Sequence, residues 1–422
     1  MTRLLLRAPR SPFDVTTVAD TLDRNLIANN SGNLVFIDAS WKLLSAPGVE
    51  ITADRLSTRR RDAGAINERY DAYVIPLANA FRLSFEPVLK RMTDQIRRLR
   101  IPVIVLGVGA QGSIDYGWNA IRPIERSVRE FVGAVLDRSP SIGVRGEGTR
   151  AYLNGLGFRD VEVIGCPSMY LWGDHLEVQR RAERLDAASR IAITISPYRQ
   201  AMGPIAASAL QRYPRLTYIA QDIETLALLV EGTPLRGGTP DSPVPIHPAH
   251  PLFQDRRARL YIDPWPWIGD LREMDFVFGT RIHGTIAALL AGTPATVLVH
   301  DSRTLELARY FDIPHRLLRD VPPDVDPADL YAEADFGPMI TGHAARYAAS
   351  REFLQRAGLE VAFDHPGAAE AFDARVAATA YPGPVVAGDQ VAGPPRGPIP
   401  SARRLARRLR ATAERRLPVR DA

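Results

Sequence analysis

Short runs rich in Val and Ile recur along this chain with helix-sized segments between them, and that alternation restricts the fold more than any other feature. The runs fall at 71–76, 102–107, 141–144, 161–164, 191–196, 216–220, 259–262, 275–278 and 295–299. Helical patterns occupy 86–100, 122–137, 148–156, 202–212, 224–230 and 305–311. A strand that is apolar along its whole length must be covered on both faces, and helix-length crossovers join parallel neighbours. The pattern therefore predicts an α/β chain of parallel sheets, with one series of strands on each side of the polar segment 173–190. The first domain is expected over 1–173 and the second over 174–362.

A length of 422 residues suits two cores and an appendage. The pattern 328–359 reads as one long helix packed back over the first domain, and 231–251, with His247 and His250, as a long surface loop. Segment 363–400, rich in Gly, Pro, Ala and Val without periodicity, is expected to be a disordered linker. Residues 401–422 then place Leu405, Leu409, Ala413 and Leu417 at steps of four among arginines. Such a basic amphipathic helix suits an anionic membrane surface, or else is a solvated extension. This tail holds eight arginines against Glu414 and Asp421, so the net charge of +5 resides there and gives no sign of a nucleic-acid groove in the body. One cysteine, Cys166, forbids an internal disulfide and reads as a small buried hydrophobe. The start has only three consecutive leucines, and no stretch approaches the ~20 apolar residues of a membrane span, so the cytoplasm is expected.

Two glycine-containing turns stand out. Gly107-Val-Gly109-Ala-Gln-Gly112 follows a strand and matches a dinucleotide fingerprint by letter, but no helix opens at its third glycine and no acid is placed for a ribose. These glycines are read instead as letting a loop approach a ligand closely. Gly279-Thr-Arg281-Ile-His283-Gly284 joins an apolar strand to an Ala/Leu-rich helix. Backbone N–H groups and the helix dipole favour an anion at such a junction, and Arg281 and His283 add a cation and a proton-carrying group.

With Ser141-Ile-Gly-Val-Arg145-Gly-Glu147, Gly165-Cys-Pro167-Ser168, Gly292-Thr-Pro294 and Asp301-Ser-Arg303, this turn resembles the polysaccharide pyruvyl transferase family over about two thirds of the chain, near 25–317. The resemblance implies two Rossmann-like domains facing a cleft, as in GT-B glycosyltransferases. It implies transfer of a pyruvyl group from phosphoenolpyruvate to hydroxyls of a saccharide or lipid-linked oligosaccharide, with neither metal nor cofactor. Arg281 and His283 match the family's donor-binding pair, with Gly284 at the helix start, and Arg145 matches an arginine across the cleft. Arg303 lies where many members carry lysine, and a guanidinium can neutralise charge there but not carry a proton. The family's triple-glycine loop is absent after Val74-Ile-Pro76, and its early Gly-Asp element is altered to Asn29-Asn30-Ser31-Gly32-Asn33.

His283 is the expected general acid or, alternatively, a phosphate ligand. Glu147 or Asp301 either deprotonates the acceptor or orients an arginine. Trp265 and Trp267 either stack on sugar or fill core. Two other functions fit these residues: a glycosyltransferase using a nucleotide sugar, and a noncatalytic descendant that binds glycan or membrane.

Overall fold

The computed structural model describes residues 1–57 and 63–388. The first half carries β1 (Thr2–Leu6), β2 (Val49–Ala53), β3 (Ala72–Pro76), β4 (Asn79–Phe81), β5 (Val103–Leu106), β6 (Gly109–Ala110), β7 (Ile142–Val144) and β8 (Val161–Val163). Four of these form a parallel sheet in the order β2-β1-β3-β5, while β4 pairs with β6 and β7 with β8. A bridge from Val108 to Val144 sets β7 beside the continuation of β5. The second half carries β9 (Ile191–Thr194), β10 (Thr217–Ala220), β11 (Ala258–Leu260), β12 (Phe276–Gly279), β13 (Ala295–Val299), β14 (His315–Leu317) and β15 (Val385–Val386). They form one sheet, β14-β13-β12-β9-β10-β11-β15, parallel except at β15. The α/β parallel-sheet class expected from the sequence is the fold observed.

Between the halves lies the helix Gly32–Leu44, in which every residue but Asn33 is buried. A helix buried on every side has no outward polar stripe, so its pattern gives no amphipathic signal even though Asp38, Ser40 and Lys42 are among its buried residues. Through it one continuous core joins Leu4, Val74 and Leu106 to Val277, Ile286 and Val297. The polar stretch 174–190 passes between the halves without helix or strand.

Three expectations need correction. The long pattern 328–359 is two helices, Pro327–Glu333 and Gly337–Arg356, because the Asp335 side chain accepts the Gly337 amide at 2.9 Å and Gly337-Pro338 opens a new helix. The second does cross back over the first half, with Tyr347 against Tyr170 and His343 Nε2 3.0 Å from the Gly173 carbonyl oxygen. The supposed linker 363–400 is ordered as far as 388, with a helix at Ala368–Ala377 before β15. A few side chains dock it: Phe372 meets Phe13 and Trp265, the Lys42 ammonium donates to Asp373 at 2.8 Å, and the Tyr381 hydroxyl donates to Pro12 O at 3.0 Å. Such isolated anchors leave no periodic trace. Loop 231–251 is not wholly superficial, since Val244 and Ile246 are buried, and its two histidines each accept a nearby backbone amide through Nδ1. The remainder of the linker and the basic tail lie outside the described residues.

Candidate anion site between the halves

β12 ends at Gly279, whose φ of +137° and lack of a side chain let it pass against the carbonyl oxygen of Thr194, where a Cβ would overlap. Thr280 then donates its amide to Thr194 O at 2.7 Å and accepts the Ser196 amide at 2.8 Å through its hydroxyl, locking the turn. Arg281 follows as the N-cap of the helix Ile282–Leu290. Its guanidinium, 19% exposed, pairs with Asp222 and donates through Nε to Ile195 O at 3.4 Å. Asp222 also accepts from Asn30 Nδ2 at 3.1 Å, so the altered Gly-Asp element is tied to the arginine turn. Gly284 packs against Gln221 and Thr194, both about where its Cβ would stand, at 2.7 Å.

His283 faces the first half, with its ring 5.6 Å from that of Phe36 and Nε2 3.7 Å from the Cys166 sulfur. Burial, and then the charges of Arg145, Arg303 and Arg281, push its pKa down to about 3. This departs from the unperturbed imidazole, titrating near operating pH, that the sequence predicts. The ring is neutral near pH 7, because burial disfavours its charged form and three nearby guanidiniums disfavour a fourth cation.

Arg145, at the end of β7, is only 1% exposed. Its Nε donates to Gly107 O at 3.2 Å, whereas Nη2 is buried without a partner among the described residues. The glycine loop serves this side chain: a Cβ on Gly109 would stand 2.6 Å from Arg145 Cδ. Gly107, at φ +67°, passes as closely to the Gly165 carbonyl oxygen. The close approach expected of these glycines is therefore to protein. Gly112 lies in a loop, and its amide donates to Ser302 Oγ at 2.9 Å.

Asp301 caps the helix Ser302–Tyr310 by accepting the Thr304 amide at 2.9 Å and the Thr304 hydroxyl at 2.8 Å. Its other oxygen accepts from Arg303 Nη2 at 3.0 Å. Burial pushes this carboxyl upward, but Arg303, His300 and the Thr304 donors outweigh it and hold the group well below the carboxylate range. Asp301 is thus an ionised cap that orients Arg303. Glu147 stands apart: its side chain is 64% exposed and pairs with Arg150 at 2.5 Å. Trp267 is buried core stacked on Tyr261, and Trp265 packs against Trp172 and Phe372.

The structure thus brings Arg145, Arg281 and Arg303 within electrostatic reach of His283, and adds three residues that the sequence did not single out for the site. Cys166, read as core, touches His283 and accepts a hydrogen bond from Ser168 Oγ at 3.0 Å. His300 stands 3.6 Å from Asp301, with its pKa pushed down to about 4 by burial first and then by Arg199 and Arg303 against the pull of Asp301. Glu306, on the helix of Arg303, is a buried carboxyl pushed up to about 7, chiefly by desolvation. Only Cys166 left a signal, its place in the Gly-Cys-Pro-Ser element; the others required the tertiary fold.

No curated protein matches the chain significantly. Among solved structures it is similar to a UDP-GlcNAc 2-epimerase from Neisseria meningitidis, with 12% identity over 90% of this chain and 100% of that one and a TM-score of 0.39. It is also similar to the glycosyltransferase SnogD from Streptomyces nogalater, with 13% identity, 90% and 99% coverage and a TM-score of 0.32. TM-scores this low carry no argument about fold or activity. The sequence model for polysaccharide pyruvyl transferase matches residues 30–302, a span that includes Arg145, Cys166, Arg281, His283 and Asp301. This chain belongs to the polysaccharide pyruvyl transferase family.

Proposed function

We propose that the protein transfers a pyruvyl group from phosphoenolpyruvate to two hydroxyls of one sugar in a surface polysaccharide or its lipid-linked precursor, closing a cyclic ketal. The observation that carries this reading is the buried Arg145 guanidinium with an unpartnered Nη2, set among Arg281, Arg303 and a helix start. A buried charged donor without a partner costs about 1–3 kcal/mol or more, which an arriving anion would offset. Phosphoenolpyruvate brings roughly three negative charges, from one carboxylate and one phosphate. Arg145 and Arg303 would fork onto these oxygens, and the free amides of the Ile282–Leu290 helix would complete the cradle.

Reaction needs a proton on the methylene carbon of the enol, which leaves an oxocarbenium-like centre. One sugar hydroxyl adds to that centre and gives up its proton, phosphate departs with its bridging oxygen, and the second hydroxyl closes the ketal. His283 supplies the first proton. Burial first and then the three arginines hold its pKa near 3, and the donor's negative charge offsets the arginine part, so that the ring gains that proton more readily once the donor has arrived. Cys166, against the same ring, keeps the imidazole in place. No described helix is long and apolar enough to cross a membrane, so a lipid-linked acceptor would be met at the surface, with the basic segment 401–422 holding the enzyme to anionic headgroups.

The test is calorimetric titration of the full chain with phosphoenolpyruvate in EDTA, beside UDP- and GDP-sugars. Phosphoenolpyruvate should bind, and Arg145→Ala should abolish the heat. Binding of a nucleotide sugar alone would make the protein a glycosyltransferase, and silence from all ligands would favour a noncatalytic role.

A further inference from the structure

We propose that Glu306 is a positioning residue of this anion site: from the second half it holds the turn that follows Arg145, and its charge opposes the charge of the ligand. The inference rests on the donor reading only in taking the ligand to be an anion at Arg145.

Glu306 lies one turn beyond Arg303 on the helix Ser302–Tyr310, and both of its oxygens are engaged by one residue of the other half. Oε1 accepts the Thr149 amide at 2.6 Å and Oε2 accepts the Thr149 hydroxyl at 2.9 Å. Thr149 is in the first turn of the helix Glu147–Gly155, which opens two residues after Arg145. The N-cap of that helix is Gly146, which has no side chain to satisfy the orphan amides, so the cap is supplied from across the site. A Cβ at position 146 would overlap Glu306 Cγ, so the glycine makes room for the carboxyl that replaces its own missing cap. The Thr149 hydroxyl also accepts the Ala110 amide at 3.0 Å, and Ser302 brackets Gly112 by accepting from its amide and donating to its carbonyl oxygen at 3.0 Å. One helix of the second half therefore fixes both the glycine loop over Arg145 and the turn beyond it, and the same helix carries Arg303.

A neutral acceptor could serve as such a latch. A carboxyl differs because it can change charge, and this one is pushed up to about 7 by burial, against the pull of Thr149 and Arg145 and with a further push from Glu147. The charged and titratable groups that face it from the first half are Arg145, Glu147 and Tyr116, while Arg303 and Arg309 lie one turn away on its own helix. An anion arriving at Arg145 adds negative charge beside this carboxylate and so favours its neutral form. Binding then takes up a proton, and affinity weakens as pH rises through 7.

The experiment is calorimetry at pH 6 and pH 8 on wild type, Glu306→Gln and Glu306→Ala, with phosphoenolpyruvate and separately with inorganic phosphate. His283 is unchanged in all three proteins, so the comparison isolates Glu306. Glu306 should weaken wild-type binding by up to about tenfold between pH 6 and pH 8, the limit for one proton taken up above a free pKa of about 7, beyond the slope common to all three proteins. Glu306→Gln, which imitates the neutral acid and can still bond Thr149, should match wild type at pH 6 and exceed it by up to about tenfold at pH 8, the slope that remains being that of His283 and the ligand. Glu306→Ala should bind about tenfold or more weakly than Glu306→Gln at both pH values, since a cap and its turn are lost. A Gln variant with the wild-type slope would overturn the charge role, and an Ala variant with wild-type affinity at pH 6 would overturn the positioning role. If inorganic phosphate shows the expected pattern while phosphoenolpyruvate is silent, Glu306 keeps its role and the pyruvyl donor is lost. Phosphoenolpyruvate binding with all three proteins alike would keep the donor and remove Glu306; silence from both anions would remove both.

Discussion

Arg145 and Arg281 bring the same guanidinium to the site from opposite halves of the molecule, and they are held in opposite ways. Arg145 is sealed in, donates to the Gly107 carbonyl oxygen, and keeps an Nη2 without a partner among the described residues. Arg281 is 19% exposed and already paired with Asp222, which is itself anchored by Asn30. Coulomb attraction is strong where water is excluded, and a charge already neutralised has little left to offer a ligand. The first half therefore contributes an available charge, whereas the second contributes a turn geometry, a helix N-terminus and a charge in balance. Affinity for an anion should come mostly from the half whose arginine the sequence marks less plainly.

The largest expected effect is that of Arg145→Ala: phosphoenolpyruvate affinity should fall about a hundredfold or more by calorimetry, in line with the ~2–5 kcal/mol lost when a buried charged pair is truncated. His283→Gln comes next, with kcat for ketal formation down about a hundredfold and KM within a few-fold, as befits a group that acts on the proton rather than on the bound donor. A variant that kept most of its kcat would reduce His283 to a ligand. Arg281→Ala should cost only about tenfold in affinity, near the ~1.5 kcal/mol of one charge-assisted hydrogen bond. If it cost as much as Arg145→Ala, the contrast between the halves would be wrong. Smallest is Asp222→Asn, which frees Arg281 and should tighten donor binding about threefold, within the ~0.2–1 kcal/mol of a solvent-touched pair. A loss of affinity there would mean that Asp222 positions Arg281 more than it neutralises it.

Much of the strand pattern and both arginine turns were legible because they are local: an apolar run, a helix pattern, a glycine at a junction. β1 was not, since its Leu4-Leu5-Leu6 run lacks the β-branched residues that mark the other strands. The central helix Gly32–Leu44 was hidden by its burial on every side. Glu147 shows the limit for the site. It follows Arg145 by two residues, yet the helix it opens turns its side chain to solvent, and the carboxyl facing Arg145's surroundings is Glu306, more than 150 positions away.

The sequence by itself determined the class of fold and the family, and marked the arginines that meet around His283, because these depend on short-range periodicity and on motifs read within a few residues. The tertiary structure decided which of those charges is free, which is already paired, and that His283 is neutral before a ligand arrives. Those properties follow from desolvation and from charges converging across the two halves, and neither has any counterpart in the order of residues along the chain.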